Sequence, residues 1–195
     1  MQATTLSFLN LHDHGTLFSD LLRARHRTFI EQAQWDLPQA DGMEFDQYDT
    51  AASRWLAVHD GGRILAGARL TPTTHRCGIY SYMIRDAQRG LLATIPSDLL
   101  FESAPVTDHV WELSRGFVCD DVPTPSRRRV HMRLVSEIVA AARDIGATEV
   151  LGLVSPALAR MGGSTGLSCE AAGPLLSIDG LPNLCVRVRL AGKLH

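Results

Sequence analysis

Between Met43 and Asp49 the chain reads MEFDQYD, which sets three carboxylates (Glu44, Asp46, Asp49) and two aromatic rings within seven residues. Acids crowded this closely raise one another's pKa unless positive charge stands among them. Arginines occur elsewhere on otherwise apolar stretches: Arg25, Arg69 and Arg115, the last of them three residues after a further acid, Glu112. Each such charge is costly to bury alone, so the set is expected to converge. For any single member a structural ion pair is the simpler reading. For the whole set a zwitterionic ligand explains both signs, because it brings a carboxylate for an arginine and an amine for an acid.

Other chemistries lack their residues. The chain has no GxSxG elbow, no P-loop, no HExxH and no GxGxxG. Gly162, Gly163 and Gly166 in RMGGSTGLS do not lie between a strand and a capped helix and are read as a mobile surface loop. His12-Asp13-His14 has no third ligand at a usual spacing and is read as a polar loop. Cys77, Cys119, Cys169 and Cys185 are widely spaced and form no CxxC, which argues against disulfides or zinc and fits a reducing cytoplasm. Neither a metal nor a cofactor is expected.

The elements that must position the charges are legible from periodicity. Leu17 to Gln32 reads as an amphipathic helix with Phe18, Leu22, Arg25 and Phe29 on one stripe. Trp55 to Val58 and Ile64 to Leu70 read as hairpin arms around Asp60-Gly61-Gly62, with Leu65, Gly67 and Arg69 on one face. VWELSRGFV, Val110 to Val118, reads as a strand in which Gly116 marks a bulge or a close approach. Ser126 is a candidate N-cap for a helix ending before Gly146, and an apolar strand, Glu149 to Val154, follows. That order suggests a crossover between parallel strands, and NLCVRVRL adds a final alternating strand. A mixed sheet with helices on both faces results.

Composition sets the outer bounds. At 195 residues with 45% hydrophobic and 21% charged residues, the chain is expected to form one domain over residues 1–195. A net charge of −2 gives no general attraction for nucleic acid or an anionic membrane. No apolar run approaches the roughly 20 residues that span a bilayer, and the N-terminus makes a poor signal peptide.

In order and spacing, Arg25-x-x-x-Phe29, Trp35, Glu44-x-Asp46-x-x-Asp49, Arg69 in ARLTPT and Glu112-x-x-Arg115 in WELSRGFV resemble the acyl-homoserine-lactone synthases. These are the autoinducer synthases of bacterial quorum sensing. EIVAAARDIGATEVLGLVSPALARM extends the resemblance to Met161. The resemblance implies a fold like the GCN5-related N-acetyltransferases. It also implies acylation of the amine of S-adenosylmethionine by an acyl-acyl carrier protein, then lactonisation and release of methylthioadenosine. Arg25, Phe29, Trp35, Asp46, Asp49, Arg69 and Arg115 then map to the S-adenosylmethionine pocket. An arginine would meet the carboxylate, and the crowded acids would surround the cationic end.

On the same footing Glu112 is the first choice for the base that deprotonates the amine, with Asp46 second. Backbone N–H groups of residues 114–117 would receive the thioester oxygen. Val150 to Ser155 would line an acyl tunnel, with Gly152 and Ser155 leaving room. Arg127, Arg128, Arg129 and Arg133 would dock the acidic carrier protein, the plainer alternative being a solvated helix face. Two departures stand out: Met83, with Tyr80 and Tyr82 as neighbours, occupies a position where the family has an aromatic, and Gly116 one where it has a bulky residue. The competing readings are a coenzyme A-dependent N-acyltransferase of the same fold and a non-catalytic sensor of S-adenosylmethionine or acyl chains.

Overall fold

The computed structural model describes residues 1–163 and 167–190. In chain order they form β1 (Gln2–Leu6), α1 (Leu17–Arg25), β2 (Gln39–Ala40), β3 (Met43–Glu44), β4 (Arg54–Asp60), β5 (Arg63–Pro72), α2 (Met83–Gln88) and β6 (Val110–Val118). There follow α3 (Thr124–Asp144), β7 (Glu149–Val154), α4 (Pro156–Gly163), β8 (Ser168–Ala171), β9 (Leu176–Ile178) and β10 (Leu181–Arg189). The result is the mixed α/β architecture expected. No helix among the described residues is long and apolar enough to cross a membrane.

Two compact units emerge. The first comprises Met1–Leu70 and Arg115–Ala141; the second comprises Thr71–Ser114 and the described residues from Ala142 onward.

In the first unit β1, β4 and β5 lie side by side and antiparallel. The β4–β5 hairpin turns on Gly61 and Gly62, both at positive φ (55° and 85°), as a tight two-residue turn demands. Asp60 faces Arg63, yet the register slips by one at Val58/His59, so that Trp55 faces Arg69. Leu65 is the extra residue of this bulge, and without it Trp55 would face Ala68. A one-residue slip exchanges the two faces of a strand, so the bulge brings Trp55 and Arg69 to the same side.

The helix read over Leu17 to Gln32 keeps those limits but changes its winding. From His26 to Gln32 it is π-helical, closed by Ala33 N–H to Thr28 O at 3.1 Å. Gly67 lets α1 come close to β5. A Cβ at Gly67 would lie 2.5 Å from Leu21 Cδ1 and 2.9 Å from Phe117 Cε1, and Leu21 stands one turn before Arg25 on the same stripe.

In the second unit the start of β6 runs parallel to β7, β10 pairs antiparallel with β7, and β8 and β9 pair antiparallel with β10. Parallel neighbours joined through α3 are the crossover that strand, helix, strand order implied. Tyr82, Ile84, Leu99, Leu151 and Cys185 form the core of this unit.

Several expectations need correction. Gly116 has ordinary φ and open space where a Cβ would stand, and the left-handed residue in β6 is Arg115, at φ 53°. α3 starts at Thr124, so Ser126 lies within its first turn and its N–H reaches Pro123 O at 2.8 Å. Gly162 and Gly163 close α4 rather than forming a loop, and Gly166 lies outside the described residues. β1, β2, β3, α2, α4, β8 and β9 gave no periodic signal long enough to read.

The two glycines give a paired test. Gly67→Val is expected to destabilise by about 2–3 kcal/mol through overpacking, whereas Gly116→Ala should stay within about 0.5 kcal/mol of the parent. Urea unfolding of both variants, followed by circular dichroism, measures the difference.

Candidate active site

Within the first unit the crowded acids and dispersed arginines meet. Arg25 projects from the last turn of α1, Glu44 from β3, Asp46 and Asp49 from the turns after it, Arg69 from β5, and Arg115 from β6. Arg25 donates through Nε to Glu44 Oε2 at 2.5 Å and holds Asp49 with both terminal nitrogens, at 2.8 and 2.9 Å. Arg69 takes Asp46 in the same two-pronged way, at 2.6 and 3.2 Å, and its Nη1 lies 2.9 Å from Asp49 Oδ2. Arg115 closes the figure, with Nε to Glu44 Oε1 at 3.1 Å and Nη2 to Asp46 Oδ2 at 2.8 Å. The order Arg25, Glu44, Arg115, Asp46, Arg69, Asp49 and back to Arg25 is a closed ring of alternating charge with a formal sum of zero.

The ring is nearly dry: the side chains of Arg25, Arg69, Glu44, Asp46 and Asp49 are each 5% exposed or less, and that of Arg115 is 9% exposed. Burial favours neutral carboxyls, yet Arg69 and Arg115 overcome it at Asp46, and Arg69 and Arg25 at Asp49. Both acids are held below the ordinary carboxylate range, Asp49 far below it. Burial likewise works against the charge on Arg25, but Asp49 and Glu44 raise its pKa above the ordinary value. Trp55 Nε1–H adds a donor to Asp49 Oδ1 at 2.7 Å, and Tyr48 lies under the Arg69 guanidinium at 5.6 Å.

This corrects the expectation that the acids surround a cationic ligand. The positive charge among them comes from the chain itself. Asp49 receives Arg25 twice, Trp55, the Asp46 N–H and Arg69, so its oxygens are committed to the fold. All three side-chain nitrogens of Arg25 are likewise engaged. Asp46, pinned by two guanidiniums, is a poor proton acceptor and loses its place as second-choice base.

Arg115 differs from the other members. It is the most exposed, and its Nη1 has no acceptor among the described residues. Its guanidinium lies 5.7 Å from the centre of the Phe29 ring. Phe29 stacks on Trp35 at 5.1 Å and 12°, and meets Phe117 edge-on at 5.7 Å. Trp35 is 38% exposed, so the aromatic platform that carries the Arg115 guanidinium reaches the surface. The π-helical winding and the Trp35 N–H to Phe29 O bond at 2.9 Å carry the platform. Positive φ at a non-glycine costs about 1–2 kcal/mol, and at Arg115 it accompanies the turn of this side chain into the ring.

Glu112 belongs to the second unit and is fully buried. Its carboxylate accepts the N–H groups of Ile84 at 2.7 Å and Met83 at 3.2 Å, the first turn of α2. Burial, reinforced by this carboxylate, pushes Tyr82 far up and Cys185 up to about 12. Tyr82 is a core residue whose hydroxyl donates to Pro105 O at 2.7 Å. Gly152 lies buried in β7 opposite Leu113, and Ser155 Oγ receives Leu158 N–H at 3.4 Å, capping α4. Of the four arginines expected to dock a carrier protein, Arg127 is drawn in, its guanidinium bonding Cys119 O at 3.1 Å and Asp120 O at 3.3 Å. Arg128 and Arg129 are exposed, and Arg133 is exposed with Glu137 at 3.9 Å.

Sequence reasoning missed Trp55 and Phe117 as partners of this set. Their signal is positional: Trp55 faces Arg69 once the bulge is allowed for, and Phe117 with Leu21 closes over the space that Gly67 leaves.

A family model described as autoinducer synthase matches residues 9–179. The acyl-homoserine-lactone synthase of Ralstonia solanacearum is 31% identical over 167 residues, which is 83% of this chain and 76% of that one. Among solved structures, TofI in a ternary complex with an inhibitor and MTA is 30% identical, with a TM-score of 0.76 over 97% of this chain and 92% of its own. BjaI, a CoA-dependent acyl-homoserine lactone synthase solved with MTA, matches at a TM-score of 0.79 over 96% and 82%. At 23% identity that match is a likeness of fold.

Breaking the ring should show in stability and in its pH dependence. Asp49→Asn is expected to lose about 3–5 kcal/mol, because it leaves buried guanidinium charge uncompensated. The folded pKa values of Asp46 and Asp49 lie below the unfolded value of about 3.9, so their contribution is present above that pH and lost as pH falls below it. Urea midpoints of the parent should therefore fall steeply from pH 4 to pH 2, and those of Asp49→Asn more gently.

Proposed function

The chain belongs to the autoinducer synthase family and is an acyltransferase, and on that premise we propose the following reaction. It moves an acyl group from an acyl-acyl carrier protein to the amine of S-adenosylmethionine. Closure to the acyl-homoserine lactone then releases methylthioadenosine (MTA). One observation carries this reading: in a neutral ring of six charges, Arg115 keeps one nitrogen without an acceptor among the described residues, beside the Phe29–Trp35 platform. S-adenosylmethionine needs a cation for its carboxylate and an aromatic surface for its sulfonium and purine. Arg115 supplies the first and Phe29 with Trp35 the second, while Glu44 and Asp46 hold Arg115 directly and Arg25, Arg69 and Asp49 hold those two acids from behind.

The amine must lose a proton before it attacks the thioester carbon. A free α-amine has a pKa of about 7.7–8.0, so a weak base suffices. Glu112 takes this role, directly or through a water. It rests on peptide N–H groups, whereas Asp46 carries two guanidiniums. Attack expels the carrier thiolate and forms the amide. The substrate carboxylate then displaces MTA from its own γ-carbon, a step that needs chiefly the positioning of that carboxylate.

For the donor, Arg128, Arg129 and Arg133 give the acidic carrier protein an exposed basic face at the start of α3, a cytoplasmic encounter. A coenzyme A thioester is the second reading, favoured by the likeness of fold to CoA-dependent BjaI. Val150 to Ser155 would line the acyl chain.

Purified protein supplied with S-adenosylmethionine and either donor, analysed by mass spectrometry, tests the reading. Lactone and MTA in equal amounts from the carrier-bound donor are expected. Product from acyl-CoA alone favours the second reading, and neither product from either donor defeats both. Glu112→Gln should lower kcat about a hundredfold or more with the KM for S-adenosylmethionine held within about threefold. Replacing Arg128, Arg129 and Arg133 together by alanine should raise the KM for the carrier-bound donor about tenfold and leave that for S-adenosylmethionine unchanged.

A further inference from the structure

We propose that Trp55 is a positioning residue for S-adenosylmethionine: its indole N–H fixes the orientation of Asp49 that closes the charge ring, and thereby sets where Arg115 stands. This rests on the function proposed above.

Asp49 is the most heavily donated carboxylate of the ring. Oδ1 takes Arg25 Nη1 at 2.8 Å and Trp55 Nε1 at 2.7 Å; Oδ2 takes Arg25 Nη2 and the Asp46 N–H, both at 2.9 Å, with Arg69 Nη1 also at 2.9 Å. The two guanidiniums sit on long stems with several rotatable bonds, and bidentate pairs can swivel together about a carboxylate. An indole has two side-chain torsions, and this one is clamped. Trp55 is 1% exposed, with Phe18 edge-on at 4.7 Å and Phe8 tilted against it at 5.8 Å. Its strand places it between Leu6 of β1 and Arg69 of β5.

Trp55 is therefore the fixed reference against which Asp49 is set. Orientation passes from Asp49 to Arg69, from Arg69 to Asp46, and from Asp46 to Arg115, the most exposed member of the ring. A phenylalanine at this position keeps the aromatic packing and removes only the donor. Asp49 then retains both arginines and loses its fixed angle. Arg115 meets a substrate group present in both ground and transition states, so the loss falls on KM rather than kcat.

Wild-type turnover is read first: no lactone from the wild type defeats the parent reading, whereas the outcomes below bear on Trp55. Trp55→Phe should raise the KM for S-adenosylmethionine roughly tenfold with kcat within about threefold, the size expected for one hydrogen bond to a charged group. Phe18→Leu loosens packing on the same indole without touching Asp49; it should lower Tm and leave KM within about twofold. An unchanged KM in Trp55→Phe, or an equal rise in Phe18→Leu, overturns the proposal. Should Trp55→Phe not fold, the wild-type indole N–H resonance, assigned by exclusion with Trp35→Phe and Trp111→Phe, decides. A shift on adding S-adenosylmethionine upholds the coupling, and an unmoved resonance overturns it.

Discussion

Six buried charges neutralise one another in a loop, and the first unit is arranged so that this loop can close. No member could be buried singly without a penalty of several kcal/mol. The features around it read as means to that closure. Gly67 admits α1 close to β5, which brings Arg25 within reach of Glu44 and Asp49. Arg115 adopts a backbone conformation uncommon outside glycine, and its side chain completes the figure. Each acid serves two arginines, so the loss of any one side chain strands two partners rather than one.

Much of this was legible in the sequence, and the limits have physical causes. The helix stripe through Arg25, the hairpin, the strand carrying Glu112 and Arg115, and the crossover that follows were all set by periodicity and turn chemistry. The convergence of the charges followed from the cost of burying each alone. Which charge satisfies which did not follow, because pairing depends on distances between elements that are far apart in sequence. The acids were expected to await a cation from outside, whereas Arg25, Arg69 and Arg115 already supply it. Trp55 was legible only as the start of a hairpin arm, because its place opposite Arg69 depends on the bulge at Leu65. The π-helical turn kept the apolar spacing of an ordinary helix and so left no trace.

The two units hold buried carboxylates by different means. Asp46 and Asp49 are fixed by full positive charges and stay ionised well into acid. Glu112 is held by the peptide N–H groups of a short helix within an apolar core, and its charge is felt by Tyr82 and Cys185. Full charges favour permanence.

The extra residue in the second arm of the hairpin has a bearing on how this protein can vary. A strand presents odd-numbered and even-numbered positions to opposite sides, so the hairpin acts as a parity device whose setting is one unit of chain length. Deleting a single residue between Val58 and Arg69 would turn Ala68 toward Asp46 and Asp49 and swing the guanidinium to the far side. Length changes in this segment would be tolerated in twos, even at a turn exposed to solvent, where loops elsewhere accept insertions of any size.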